Sequence, residues 1–144
     1  MKELKFEEKI KREDWEPLFG KWFVYCPESV FYNGVTLYHV IPTELGLILY
    51  WRNTTNNASY EEYQSFGTFT EFKVNKRVSE FISLYVRGKL TTVEETEVDN
   101  VKNLMQEIEN ARRASIENNT KTVNAAINAA NEISERILSM VDHN

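Results

Sequence analysis

The chain has 144 residues, enough for one domain with a buried core, and its apolar share of 42% sits just below the usual globular range. It carries 17 Lys and Arg against 22 Asp and Glu, for a net charge of −5, and no basic stripe that could displace counterions from a phosphate backbone, which argues against polymeric nucleic acid as a partner. No apolar run approaches the roughly 20 residues that span a bilayer, so no membrane partner is expected.

The opening stretch MKELKFEEKIKRED has no apolar h-region, and Cys26 is alone, so neither a secretory signal nor an internal disulfide is expected. Both features suit a reducing, cytoplasmic setting. In the first dozen residues Leu4, Phe6 and Ile10 keep an even spacing that fits a charged edge strand, and an N-terminal helix fits nearly as well. Residues 21–26 (KWFVYC) predict a strand that Pro27 ends. Asn33-Gly34, between the apolar runs 30–32 and 35–41, predicts a type I′ hairpin, because both central positions of that turn need positive φ. Residues 46–52 (GLILYWR) are apolar enough for an interior strand. A polar loop follows over 53–59. Residues 60–65 fit either a short helix or extended chain. Residues 66–74 alternate as a strand does, and 79–87 predict another, with Ile82, Leu84 and Val86 on one face and Phe81, Tyr85 and Arg87 on the other.

All eighteen aromatic residues lie at or before Tyr85, and residues 91–144 hold the whole charge excess, with ten acidic and five basic side chains. The vocabulary therefore changes from that of strands to that of helices. Thr92-Val93-Glu94-Glu95 matches a capping box. Val98, Val101, Met105 and Ile108 form one apolar seam, and Val123, Ala126 or Ile127, Ala130, Ile133, Ile137 and Met140 form another. The seams are out of register by four, and the poor helix formers Asn118, Asn119 and Thr120 lie between them. This predicts two helices folded back as a hairpin rather than one rod of about 75 Å. Asn103, Asn110, Asn124 and Asn131 lie off both seams and predict a solvated face. Ala125, Ala126, Ala129 and Ala130 leave a narrow helix surface that invites close contact, from aromatic side chains of the first half or from another copy of the chain.

The expected fold class is therefore α+β: an N-terminal antiparallel sheet, a meander of five or six strands, followed by two long C-terminal α-helices. Residues 1–144 are read as one domain, with a β-rich part over 1–90 and a helical part over 91–144.

Catalytic chemistry finds little footing. The histidines are His39, inside a predicted strand, and His143, beside the C-terminus, and no third group completes a triad with Cys26 or a serine. One cysteine and two unrelated histidines make no metal cluster, and five scattered glycines make no phosphate loop. The expectation is a non-enzymatic protein with no catalytic residues, no metal and no cofactor.

Binding has better candidates. Trp51 and Arg52 close one predicted strand; Phe81, Tyr85 and Arg87 share a face of another; Arg112 and Arg113 sit on the first long helix. Aromatic faces stack on planar rings and guanidinium groups pair bidentately with phosphate, so these seven residues could converge on a nucleotide-like anion if the helix crosses the sheet. In element order, a β-meander followed by a helix pair with arginines on the first helix, the chain is similar to phage anti-Thoeris proteins, which sequester a cyclic nucleotide signal at subunit interfaces. That likeness implies an anti-defence role as a sponge for a small anionic signal. The leading expectation is a cytoplasmic binding protein, a homo-oligomer associating through its C-terminal helices, with a protein or a small nucleotide-like anion as partner.

Overall fold

The computed structural model describes residues 11–56, 58–66, 75–118 and 123–141. The first ten residues and most of the strand expected over 66–74 lie outside the described residues. Among the described residues, five antiparallel strands form one sheet: β1 (Trp22–Tyr25), β2 (Thr36–Pro42), β3 (Gly46–Asn53), β4 (Ser59–Ser65) and β5 (Thr91–Val93), in the order β4-β3-β2-β1-β5. The first four are a meander. β5 returns much later in the chain to pair with the free side of β1, Trp22 opposite Val93. Around them lie α1 (Arg12–Trp15), α2 (Val30–Asn33), α3 (Lys76–Val86), α4 (Val98–Asn118) and α5 (Val123–Val141), with single 3-10 turns at Glu16–Leu18 and Glu95–Glu97. The α+β arrangement and the helical hairpin expected from the seams are both present. None of the described helices is long and apolar enough to cross a membrane.

Strand alternation separates two cores. On one face, Val24, Leu37 and Val93 meet Val101, Met105 and Ile108 of α4 and Ala126, Ala130, Ile133 and Ile137 of α5. On the other, Phe23, Tyr38, Val40, Leu47, Leu49 and Trp51 meet Trp15 and Leu18 of the N-terminal turns and Val78, Phe81 and Leu84 of α3. The apolar seams of α4 and α5 are thus turned onto their own sheet and each other. Asn103, Asn110, Asn124, Asn128 and Asn131 are exposed, as a solvated face requires. Ala126 and Ala130 are buried where α2 approaches α5, and Phe31 fills the volume that the alanines leave.

Three expected elements take another form. Residues 30–33 are not a hairpin strand but the short helix α2, because Tyr32 and Asn33 both donate their N–H to the Ser29 carbonyl and Gly34 donates to Val30. Of the pair Asn33-Gly34 only Gly34 then takes positive φ, at 79°, and the turn sends Val30 and Phe31 into the core beneath α5. The strand expected over 79–87 is the helix α3. Asn75 caps it, its side chain accepting from the Arg77 N–H at 2.8 Å, and Val78, Phe81 and Leu84 repeat every three residues on its buried face. The capping box at Thr92 does not form. Thr92 is in β5, and the Glu95 carboxylate is engaged by the Trp22 indole N–H at 2.9 Å instead of reaching back along the chain.

Candidate functional site

Adjacent residues on a strand point to opposite faces, so Trp51 and Arg52 are separated by the sheet itself. Arg52 faces α4. Its guanidinium grips the buried Glu109, with terminal N–H groups at 2.9 and 3.0 Å from the two carboxylate oxygens and Nε at 3.3 Å, and it also reaches Gln106 at 3.2 Å. Arg112, on the same side, donates from Nε to the Phe31 carbonyl at 3.2 Å and ties α4 to α2. Arg113 is exposed on α4. These three arginines therefore do not meet Trp51, Phe81, Tyr85 and Arg87, which all lie on the α3 side. The expected convergence of seven residues on one pocket is corrected to two groups on opposite faces. The physical cause is that the long helices cover one face while the unforeseen helix α3 covers the other.

On the α3 side the sheet and helix leave a cleft of about 420 Å³. Its floor is aromatic: Tyr25, Tyr38 and Trp51 from three neighbouring strands. Trp51 is stacked on Tyr60 with centroids 4.6 Å apart and lies under the Arg77 guanidinium at 4.1 Å. Its Nε1 is buried without a hydrogen-bond partner among the described residues, the kind of orphan donor that a ligand or water satisfies. The wall is α3. Arg77 pairs with Glu80 at 3.0 Å, and Arg87, at the far end of the helix, faces the same space. Arg87 donates from Nε to the Ser83 carbonyl at 3.3 Å and pairs with no carboxylate among the described residues. Asn33, Asn53 and Asn56 form the rim. Asn53 is fully engaged, donating to the Asn33 carbonyl and Thr36 and accepting from the Thr55 N–H and hydroxyl, so it shapes the rim.

The cleft's phenol is held neutral. Tyr38 is 4% exposed, and burial, reinforced by the Glu80 charge, pushes its hydroxyl up to about 12, with Arg77 pulling the other way. Tyr38 can then donate a hydrogen bond to an anion across the physiological range.

Of the expected site residues, Trp51 and Arg87 line the cleft. Phe81 lies beneath it, fully buried, stacked on Trp15 at 5.7 Å and edge-on to Tyr38 at 5.2 Å. Tyr85 packs edge-on against Phe23 at 5.9 Å. Sequence reasoning missed Tyr25, Tyr38 and Arg77. A signal for Arg77 existed: Asn75 followed by Arg77, Glu80 and Phe81 carries a cap, an i,i+3 ion pair and a buried apolar position, which is a helix start.

Elsewhere, Trp22 stacks on His39 with centroids 3.9 Å apart and planes 7° from parallel, and Lys102 lies 5.2 Å over Trp22. Burial of the imidazole lowers the His39 pKa below 6.5, and Lys102 adds to that, against a backbone hydrogen bond with Gly20 and the charge of Glu95. Cys26 is half-buried, and desolvation raises its thiol pKa despite a hydrogen bond with Ser134. Among the described residues no group of three or more His, Cys, Asp or Glu side chains could hold a metal ion.

No protein-family model matches the chain, and no curated protein or solved structure matches it significantly.

Proposed function

We propose that the chain is a non-enzymatic binding protein that holds a small, planar, anionic ligand in the cleft between α3 and the sheet. The carrying observation is the pairing of a cation with aromatic surface. Arg87, with no carboxylate partner among the described residues, faces a floor of Tyr25, Tyr38 and Trp51 with Arg77 clamped over the indole. A guanidinium supplies directed donors for a phosphate or carboxylate, and the aromatic floor supplies area for a ring. The volume fits a mononucleotide-sized molecule, because small-ligand pockets run from about 300 to 1,000 Å³. The cleft's buried phenol favours binding over reaction: Tyr38 stays protonated far above neutrality, so it is not poised for proton transfer near pH 7.

This keeps the nucleotide-like ligand of the sponge reading and moves its site from the α4 arginines to the α3 side. Association through α4 and α5 has weaker support, because their outward positions carry Asn103, Glu107 and Asn110 on α4 and Asn124, Asn128, Asn131, Glu132 and Glu135 on α5. The lone Cys26 suits a cytoplasmic setting.

The test is calorimetry and thermal shift with adenosine monophosphate, a cyclic nucleotide and inorganic phosphate. A nucleotide should raise Tm, and Arg87→Ala should weaken binding by about tenfold or more, the worth of one charge-assisted hydrogen bond. Arg112→Ala should leave binding unchanged. Absence of any shift, or binding that survives Arg87→Ala and fails in Arg112→Ala, rejects the proposal.

A further inference from the structure

The two borders of the sheet are built differently. β5 ends it with three residues, too short a border to recruit another strand. β4 ends it with seven, SYEEYQS, paired along β3 without interruption from Ser59 opposite Arg52 to Ser65 opposite Gly46. It contains no proline, no lysine and no bulge, the usual devices that blunt an edge, and among the described residues nothing pairs with its outer side.

Its side chains divide by parity. Tyr60, Glu62 and Gln64 face the α3 side, where Asn75 holds Glu62 at 3.2 Å and Gln64 at 2.7 Å. Glu61, Tyr63 and Ser65 face the other side. There Tyr63 lies opposite Ile48, which lies opposite Ile41. This apolar row stops at the border with Tyr63 53% exposed.

The geometry points to a second copy of this chain as the partner of β4, joined antiparallel about a two-fold axis at Tyr63. Charge selects that register. Centring the pair on Glu61 or Glu62 would set a carboxylate directly against its own copy, which is repulsive. Centring on Tyr60 runs off the start of β4, and centring on Gln64 runs off its end, leaving only residues 63–65 paired. Centred on Tyr63, Glu62 faces the partner's Gln64, Glu61 faces the partner's Ser65, and the two tyrosines meet. The apolar row then runs unbroken through both copies, and two five-stranded sheets become one of ten. Both clefts open on the same side of the joined sheet. The surface is independent of the cleft's ligand and leaves the outward faces of α4 and α5 in solvent.

Sedimentation velocity from micromolar to millimolar concentration tests this. The chain should shift from monomer to dimer, Tyr63→Lys and Tyr63→Glu should each be monomeric with unchanged circular dichroism, and an equimolar mixture of the two should recover the dimer. Asn128→Lys, on the exposed face of α5, should dimerise as the parent does. As a check that tolerates a poorly folding lysine variant, Tyr63→Cys should give a disulfide-linked dimer on mild oxidation, since opposed cysteines on paired strands lie within bridging distance. A parent that stays monomeric at every concentration overturns the inference. So does a dimer that persists in Tyr63→Lys, one lost in Asn128→Lys, or failure of Tyr63→Cys to cross-link.

Discussion

Arg52→Met should be among the most damaging single changes in the chain. The substitution keeps the aliphatic stem against α4 and removes the guanidinium. Glu109, whose side chain is 4% exposed, then keeps its charge and loses three hydrogen bonds, with no other partner among the described residues. Breaking a buried pair from one side costs about 3–5 kcal/mol, because an uncompensated charge remains in a poor solvent. Arg52 is itself 18% exposed, so water screens part of the interaction and the low end, about 3 kcal/mol, is the expected loss. For a chain of this size that lowers Tm by roughly 6–12 °C. Urea denaturation with a near-constant m-value measures it. The same reasoning sets a second outcome. Arg52→Met with Glu109→Leu removes both charges together and should recover most of the loss, leaving the double variant within about 1.5 kcal/mol of the parent. A single variant costing less than about 1 kcal/mol, or a double variant no better than the single, would refute the reasoning. Either result would mean that Glu109 finds water or another donor when Arg52 leaves.

Two further outcomes follow from the packing. Because burial lowers the His39 pKa, the unfolded chain takes up a proton that the folded chain resists; stability should be unaffected above about pH 6.5 and fall as pH drops below it, and His39→Gln should flatten that slope in denaturation series at stepped pH. Ala130 is fully buried between α5 and its neighbours, so Ala130→Leu should overpack the helix interface and cost about 1–3 kcal/mol, whereas Ala125→Leu on the exposed side should cost little; equal effects in thermal melts would contradict the placement of α5.

What the sequence made legible was whatever repeats with a clean period. GLILYWR is a strand by composition alone. The seam from Val98 to Ile108 and the seam from Val123 to Met140 are helices by spacing, and their phase offset reveals that the chain turns between them. The four asparagines at one heptad position fall on the solvated face because they miss both seams. Short elements were not legible, since a single turn such as Val30–Asn33 shows no period; its helical form is decided by what Phe31 can fill next to Ala126 and Ala130. α3 was misread because Ile82, Leu84 and Val86 satisfy an alternating pattern, whereas the positions that are actually buried, Val78, Phe81 and Leu84, recur every three residues as a helix requires. The site inherited that error. Which arginines share a space depends on which helix covers which face of the sheet, and that is a long-range fact absent from local spacing. Tyr38 gave no signal because its role comes from Glu80, Arg77 and Tyr25 around it, all distant in sequence or on another strand.

The late arrival of β5 has a consequence for synthesis. Trp22 waits for Val93, some seventy residues downstream, before β1 has a neighbour on both sides. At about 5–20 residues per second, a growing chain on the ribosome exposes that flank of β1 for roughly 4–14 s. Trp22, Phe23 and Val24 are then an extended apolar segment awaiting its closing strand, the moment in the life of this molecule when a chaperone that grips such segments has the most to protect.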